Sequence, residues 1–571
     1  MKTFTLIILA FISISSLSCS KYLDLSPLDQ VVDADYWNSA DDIKYYANQF
    51  YTVFPSHAGY SLGIYALDNN SDNMVPGTYN QRLAGQNTEN SSNGFSWSFS
   101  GIRSVNHGLA HSVGVPGNPD QVSKYRGELY FFRAFMYFTL VRGYGDVPWI
   151  SKTLLTDSEE LYMDRTTRTV VVDSILNDLD SAIAYLPLKA NAETDRLNKE
   201  SALLFKSRVA LYEGTWQKYH AGTVFGTAGA DYRHYLQAAA ATAKELIDLP
   251  SASLFISADV NYLYRSMFGR LDLSDNPEVL LYKKYDESMG ISHHMTNYIR
   301  SGANTGLSVS LIDDYLCIDG KPIAISDLYE GNETLSDIVA NRDPRLTQTI
   351  WTPGDTVVLN SGIATIYKFP RLDVSGELRS VSGFDFKKGV AEDPSSVNRE
   401  NPAILFRYAE ALLNYVEAKA ELGEITQSDV DISINELRRR INMPHLVIGD
   451  IVEDPNWLYP DKSPIINEIR RERRVELASE GFRFDDLARW AEMDILIGAR
   501  PRGIKFHQEN YPSLEVGVGV YVDENGYVDP YQNGLANGYQ FNLDRDYLTP
   551  IPPNQLTLNR NYTQNPGWRQ N

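Results

Sequence analysis

The sequence predicts an all-α protein in which paired helices form a scaffold and long loops form one large face. Three observations support this fold class. Several segments repeat apolar residues at spacings of three and four, which is the period of a helix buried on one side. The same segments are rich in alanine, a side chain that allows helices to pack closely. Long stretches without this period separate them. The pattern favours tetratricopeptide-like helix pairs that stack into a superhelix.

The helical period is clearest near the middle of the N-terminal half. There Leu129, Phe132, Met136 and Leu140 follow one another at spacings of three and four within 127–143. Such a stripe predicts a helix that buries one face against its neighbours. The other segments with a helical pattern are 169–186, 199–218, 235–249, 404–423, 433–441, 465–480 and 484–493.

Three long stretches, at about 56–94, 271–306 and 350–401, are rich in Gly, Asn, Ser, Tyr and Asp and show no regular period. Loops of this length in a compact protein usually carry function, because irregular segments at the surface present the residues that bind. We therefore expect these stretches to be loop-rich insertions on the helical scaffold.

No low-complexity linker divides the chain. We therefore expect residues 19–571 to form a single domain. Its N-terminal helical scaffold is predicted at about 30–250, and its C-terminal helical motifs are predicted at about 402–571. A chain of this length has room for one large, elaborated core.

The charge balance excludes one class of partner. The formal net charge is −21, and no cluster of Lys and Arg is visible in the sequence. Nucleic-acid binding needs such a cluster to neutralise phosphates, so we expect no nucleic-acid partner. The 36 tyrosines and 8 tryptophans offer more ring surface than a core needs, and such rings often form recognition surfaces.

The first residues have the features of a secretory signal. Lys2 precedes an apolar run over 4–12 and a Ser-rich stretch over 13–18, and Cys19 follows directly. A charged start, a short apolar run and small residues before the cleavage point are typical of a signal peptide. We predict a lipoprotein signal peptide at 1–18, with lipidation of Cys19 as the membrane anchor. An ordinary signal peptide followed by an incidental cysteine is the alternative.

Five segments, spread from one end of the chain to the other, resemble the SusD/RagB family in their order and joint presence. They are Cys19 with Lys21-Tyr22-Leu23-Asp24; Gly127-Glu128 with Phe132-Arg133-Ala134-Phe135 and Tyr144-Gly145-Asp146-Val147-Pro148; Arg407-Tyr408-Ala409-Glu410-Ala411 with Leu437-Arg438-Arg439-Arg440; Glu472-Arg473-Arg474-Val475-Glu476 with Arg483-Phe484-Asp485-Asp486 and Arg489-Trp490; and Tyr547-Leu548 with Pro550-Ile551-Pro552 and Asn565-Pro566-Gly567-Trp568.

The resemblance implies an all-α fold with four tetratricopeptide-like helix pairs and a loop-rich ligand-binding face. It also implies lipid anchoring at the surface of the outer membrane and a partnership with a TonB-dependent transporter of the SusC type. Members of the family typically capture oligosaccharides for that transporter, and some capture peptides. We therefore expect a non-catalytic binding lipoprotein that delivers a glycan ligand to a SusC-like transporter.

The segment around 470–489 contains the carboxylates that are the strongest candidates for catalysis. Glu472, Glu476 and Glu480 recur every four residues, and a glycosidase needs two carboxylates at a defined separation. Arg473 and Arg474 lie between them, a pattern that indicates an ion-pair network between packed helices. We interpret the segment as structural and predict that the protein is not an enzyme, with a surface glycan hydrolase as the less favoured alternative.

Metal binding has little support in the sequence. No Cys/His set has the spacing of a zinc site. The oxygens of Asp68, Asn70, Asp72 and Asn73 suit calcium, although the segment lacks the spacing of a twelve-residue calcium loop. We therefore predict no cofactor and no metal ligands, with a structural calcium ion left possible.

The loops are expected to contain the residues that bind a glycan. Sugars present an apolar C–H face and an edge of hydroxyls, so their sites combine exposed aromatic rings with polar side chains. Loops at 68–82 and 286–305, and a third loop beyond 350, offer this combination. The predicted ligand-binding residues are Asp72, Tyr79, Asn80, Arg82, Tyr298, Arg300 and Trp351. An oligopeptide ligand, or a structural lipoprotein without any ligand, stays an alternative.

Overall fold

Helices form the scaffold of the protein and reappear as short segments in the layer that covers it. The structure is a computed structural model that describes residues 36–397 and 399–569. In chain order the α-helices of the described residues are α1 (Ala40–Asn48), α2 (Ser100–His111), α3 (Pro119–Tyr144), α4 (Arg168–Tyr185), α5 (Lys199–Tyr219), α6 (Tyr232–Ile247), α7 (Leu263–Phe268), α8 (Met295–Arg300), α9 (Val309–Asp314), α10 (Leu335–Val339), α11 (Pro344–Thr349), α12 (Tyr408–Glu421), α13 (Gln427–Asp431), α14 (Ile434–Arg440), α15 (Pro464–Glu476), α16 (Arg483–Arg489) and α17 (Pro553–Leu558).

Successive long helices pack side by side in a stack. Helix α3 contacts α2 and α4, α4 contacts α5, and α5 contacts α6. Helix α12, which comes much later in the chain, continues the stack on α6 and in turn contacts α15. This order of helix pairs confirms the predicted all-α, tetratricopeptide-like scaffold.

Helix α3 shows how the local sequence produces this scaffold. Its apolar stripe is buried as predicted, with Leu129, Phe132 and Leu140 all shielded from solvent. Asn118 caps the start of the helix, because its side chain accepts a hydrogen bond of 2.8 Å from the backbone N–H of Asp120. The helix is thus specified both by its cap and by the face it buries.

One predicted helix boundary is wrong. The segment Ala403–Arg407 was expected to begin a helix, but it is a strand, β4, that pairs antiparallel with β1, Val279–Lys283. Ile404 lies opposite Tyr282 in this pairing, and the helix begins only at Tyr408. A stripe of apolar residues cannot reveal a partner strand more than a hundred residues earlier in the chain, so the local period misled the prediction.

The three stretches predicted as loop-rich insertions fold into a layer with a core of its own. Tyr65, Met295 and Trp351 come from different stretches and are buried in the same apolar cluster. The third stretch also contains a two-stranded hairpin formed by β2, Thr356–Asn360, and β3, Ile363–Ile366. The layer is therefore packed on the scaffold, and its surface positions are held in place from below.

The membrane-related predictions concern a part of the chain that the structure does not describe. The signal peptide at 1–18 and the acylation site at Cys19 both lie outside the described residues. Within the described part of the chain, no helix combines the length and apolar character needed to cross a bilayer.

Candidate ligand-binding site

The glutamates of helix α15 belong to a buried ion-pair network. Glu476 accepts hydrogen bonds from Arg345 at 2.9 Å and from Arg407 and Arg440 at 2.7 Å each. Burial by itself would raise the pKa of Glu476, but the three guanidinium groups outweigh it and hold this pKa well below its usual range. The carboxylate is therefore ionised and fully engaged, which confirms the interpretation of this segment as an ion-pair network.

The two neighbouring glutamates are engaged in the same way. Glu472 pairs with Arg345 at 2.6 Å and with Arg438 at 2.9 Å. Glu480 pairs with Lys388 and with Arg407. In both cases burial is opposed by these cations, and the pKa of the carboxyl is lowered. A general acid of a glycosidase needs the opposite, a raised pKa that keeps it protonated.

Asp72, one of the predicted ligand-binding residues, belongs to a second cluster of buried ion pairs. Its carboxylate accepts hydrogen bonds from Arg474 at 2.8 Å and from Arg483 at 2.7 and 2.8 Å. Burial would raise its pKa, but the two guanidiniums lower the pKa of Asp72 to about 2. Both carboxylate oxygens of Asp72 accept hydrogen bonds from arginines of the protein. Asp72 therefore joins the loop layer to the scaffold.

Some of the oxygens considered for calcium are engaged by protein donors, whereas Oδ1 of Asp68 is buried without a hydrogen-bond partner. Asp68 accepts hydrogen bonds from the side chain of Asn73 at 3.0 Å and from the backbone N–H of Ser479 at 2.8 Å. Asn73 in turn accepts one from Arg474. Among residues 36–397 and 399–569, no group of three or more acidic, His or Cys side chains is arranged to hold a metal ion.

Two further predicted residues make contacts inside the protein: Trp351 is buried, and Arg300 donates hydrogen bonds to backbone carbonyls. Trp351 is 2% exposed and its ring stacks on that of Tyr367, with the centroids 6.2 Å apart. Arg300 donates hydrogen bonds to the carbonyl oxygens of Ser396 at 2.7 Å and of Pro394 at 3.2 Å. These bonds hold the loop that contains Pro394 and Ser396 against α8. Trp351 is therefore shielded from a ligand, and both terminal nitrogens of Arg300 are bound by backbone carbonyls.

The two loops that were predicted to bind a ligand meet in the structure. The backbone N–H of Val75 donates to the carbonyl of Gly306 at 2.8 Å, and that of Gly77 donates to the carbonyl of Asn304 at 2.9 Å. A Cβ at Gly77 would lie only 2.4 Å from the side-chain oxygen of Asn304, so glycine lets this side chain lie against the backbone. The contact joins the loop that carries Tyr79 to the loop that carries Tyr298.

Tyr298 forms an aromatic pair that the sequence did not reveal. Its ring meets the ring of Tyr60 edge to face, with centroids 4.9 Å apart, and Tyr60 is 42% exposed. Tyr60 donates to the hydroxyl of Ser301 at 3.0 Å. Partial burial, and after it the carboxylate of Glu377, raises the pKa of Tyr298, so its hydroxyl stays protonated. Tyr60 lies in a predicted loop, but nothing in the sequence separated it from the other loop tyrosines.

Tyr79 and Asn80 lie at a cavity between the loop layer and the scaffold. The cavity has a volume of about 920 Å³ and is also lined by Phe135 and Phe138 of α3. The ring of Tyr79 leans edge-on against Tyr531, at 5.8 Å between centroids. Within the described residues, the hydroxyls of Tyr79 and Tyr298 have no hydrogen-bond partner, as expected for groups that face solvent.

Asn80 shapes the loop at the edge of this cavity. Its side-chain oxygen accepts hydrogen bonds from the backbone N–H groups of Arg82 at 2.9 Å and Leu83 at 3.2 Å. This is the turn that asparagine side chains favour. The amide nitrogen of Asn80 donates to no other described residue, and Arg82, the next predicted residue, lines the cavity from a buried position.

Comparison with known proteins agrees with this architecture. The family model described as "SusD family" matches residues 277–568, and one described as "starch-binding associating with outer membrane" matches residues 21–211. Two SusD-like proteins of Formosa agariphila, P38 and P2, are 25% and 24% identical to the chain. These alignments cover 86% and 82% of this chain, and 92% and 78% of the relatives.

Solved structures share the fold. A SusD-like carbohydrate binding protein from Bacteroides fragilis superposes with a TM-score of 0.71 at 22% identity, over 92% of this chain and 99% of the other. A second SusD-like protein from the same organism gives a TM-score of 0.68 at 21% identity, over 95% and 100% of the two chains. With a family model that covers half of its length and relatives aligned over most of it, the chain belongs to the SusD family.

Proposed function

We propose that the protein is a non-catalytic receptor that binds an oligosaccharide on the surface where its loops meet. The observation that carries this proposal is the grouping of Tyr60, Tyr79, Asn80 and Tyr298 on adjoining loops, with two tyrosine hydroxyls free of protein partners. Aromatic rings can pack against the C–H face of a sugar, and free hydroxyl and amide groups can bond to its hydroxyls. Asp72, Arg300 and Trp351 are left out of the proposed site because the protein itself uses them.

The similarity to other proteins supports the same choice of ligand. One solved structure with this fold is described as a carbohydrate binding protein, and the family model that matches residues 21–211 is described as starch-binding. We propose, on this basis and on the family resemblance, that the ligand is a glycan and that it is passed to a SusC-like TonB-dependent transporter. Such a transfer needs no chemistry, in keeping with the engaged glutamates of α15.

The proposed location is the outer membrane. The family model that matches residues 21–211 is described as associating with that membrane. We propose that acylated Cys19 holds the protein at the cell surface. A single acyl chain binds a bilayer only weakly, but lipoproteins carry more than one, which makes attachment stable.

Calorimetry against a panel of oligosaccharides and peptides tests the proposal. We expect binding to at least one oligosaccharide, and about a tenfold loss of affinity in Tyr298→Ala because the ring platform is removed. Tyr45→Ala is the matched control, since Tyr45 is 63% exposed on α1, and its affinity should be unchanged.

Three outcomes would contradict the proposal. Release of new reducing ends from a bound glycan would show catalysis. Binding of peptides without any oligosaccharide would replace the glycan by the peptide ligand. An equal loss of oligosaccharide affinity in the Tyr298 and Tyr45 variants would show that the binding site lies elsewhere.

A further inference from the structure

Three arginines in the wall of the cavity share an unusual environment. Each guanidinium lies over a phenylalanine ring that also lines the cavity, at a distance suited to cation–π attraction. The pairs are Arg82 with Phe484 at 4.4 Å, Arg142 with Phe138 at 5.3 Å, and Arg208 with Phe406 at 4.8 Å.

Among the arginines that line the cavity in the described part of the chain, Arg82 is the one without a carboxylate in direct contact. It is only 6% exposed, and its Nε donates to the carbonyl of Asp546 at 2.8 Å. No carboxylate of the described residues forms an ion pair with it, and its Nη2 is buried without any hydrogen-bond partner. A buried, unpaired charge is costly, so natural proteins normally provide it with a counter-charge. Burial lowers the pKa of Arg82 to about 10, which still leaves it charged at neutral pH.

The other two arginines are paired but keep spare donors. Arg208 binds Glu410 through two hydrogen bonds of 2.6 Å, and Arg142 pairs with Asp485. In each guanidinium one terminal nitrogen donates to no other described residue. The side chains are 21% and 27% exposed, so solvent reaches the cavity. The two acidic residues are paired with these arginines, so Arg82 keeps only the longer-range attraction of Asp546 and Asp485.

We propose that this cavity receives an anionic group of the captured glycan, such as the carboxylate of a uronic acid or a sulfate ester. The inference rests on the proposed glycan-binding function and names the class of sugar. An oxyanion is the natural partner of a guanidinium fork, and the phenylalanine rings suit the apolar face of the sugar that carries it. The volume of about 920 Å³ lies within the range of about 300–1,000 Å³ that is typical of small-ligand sites.

The position of the cavity agrees with this assignment. Tyr79 and Asn80, which belong to the proposed glycan surface, also line the cavity, so a glycan on that surface lies next to its opening. Arginines outnumber acidic side chains along its walls, although the whole chain carries a net charge of −21. The excess of negative charge elsewhere would repel an acidic glycan, and the cavity is a place where the local charge favours it.

Calorimetry on the full mature chain with matched oligosaccharides tests the inference. The probes are a neutral oligosaccharide, its uronate-containing counterpart and its sulfated counterpart. We expect the wild-type protein to bind one of the acidic forms at least tenfold more tightly than the neutral form. Arg82→Gln should reduce this preference to less than threefold, because it weakens binding of the acidic form more than binding of the neutral form. Arg439→Gln, which removes an arginine that is exposed on α14, is the matched control and should keep the full preference.

The possible failures are distinguishable. If no oligosaccharide binds, both the proposed function and this inference are wrong. If the neutral form binds as tightly as both acidic forms, the receptor function stands and this inference is wrong. If Arg82→Gln does not fold, Arg208→Gln takes its place, together with the salt dependence of the wild-type protein. A preference that survives in Arg208→Gln and does not weaken at high salt would overturn the inference.

Discussion

The ionic core of the scaffold and the cavity beneath the loops use the same residue type in opposite ways. In the scaffold, Arg345, Arg407 and Arg440 converge on Glu476, and every one of them has a carboxylate partner. At the cavity, Arg82 is buried without one. Breaking a buried ion pair is strongly destabilising, so paired charges are part of the structure. A buried charge without a partner can instead be paired by an anionic ligand. The comparison separates arginines that stabilise the scaffold from the arginine that we propose to contact a ligand.

The largest effect is expected from breaking the paired region. Glu476→Gln removes the negative charge on which three guanidiniums converge, and we expect a loss of about 3–5 kcal/mol in the free energy of unfolding. Glu436→Gln is the control, because Glu436 pairs with Arg439 at the surface, where such a pair contributes at most about 1 kcal/mol. Urea denaturation measures both. Similar losses in the two variants would refute the contrast between paired core and surface.

Two arginine substitutions test the comparison directly. Arg483→Met removes a partner of Asp72 and should cost about 3 kcal/mol, since a buried carboxylate loses half of its compensation. Arg82→Met removes a charge that has no ion-pair partner, so we expect a change below about 1 kcal/mol. Equal destabilisation in denaturant unfolding would show that Arg82 is structural, as the other buried arginines are.

Acid should weaken the loop layer through His57. Burial, and after it the neighbouring His293, lowers the pKa of His57 to about 3, while the unfolded chain has the ordinary value of 6.5. Between these values the unfolded state binds the proton and the folded state does not, so stability falls as pH drops from about 6.5 towards 3. Protonation of His57 should lower the free energy of unfolding by at most about 1.4 kcal/mol per pH unit.

Unfolding midpoints at pH 7 and pH 5 check this expectation. His57→Gln should flatten the pH dependence, because the variant has no imidazole to protonate at this position. His234→Gln, which changes an exposed histidine of α6, should behave as the wild type does. An unchanged slope in His57→Gln would assign the acid sensitivity to other groups.

A smaller effect should follow from Gly77→Ala at the junction of the two loops. The added Cβ would lie 2.4 Å from the side-chain oxygen of Asn304, so this side chain must move away from the junction, at a cost of about 1 kcal/mol. We expect a lower melting temperature together with weaker glycan binding. Gly449→Ala adds the same atom where no neighbour lies within 4 Å and should change neither. Full glycan affinity in Gly77→Ala would mean that the junction does not organise the site.

Local patterns in the sequence were sufficient for the scaffold. The apolar stripe of Leu129, Phe132 and Leu140 predicted α3, and the alternation of Glu and Arg in α15 predicted an ion-pair network. Both signals arise because residues three and four apart share one face of a helix. The same signal failed at Ile404, where pairing with a distant strand overrides the helical period.

The candidate site depended on contacts that no local pattern records. Asp72 and Arg474 are 402 positions apart, and only their meeting in space turned a predicted ligand residue into an internal ion pair. Trp351 is buried, whereas Tyr60 is exposed beside Tyr298, although all three lie in stretches of similar composition.

The sequence by itself thus determined the helical stack, the ionic character of α15 and the stretches in which binding residues should lie, because these depend on short-range spacing. The tertiary structure alone decided which loop side chains face solvent and which arginine of the cavity wall lacks a carboxylate in direct contact. Arg82 illustrates the reason. Its residue type is visible in the sequence, but the absence of a carboxylate partner among the described residues is a property of everything that packs around it.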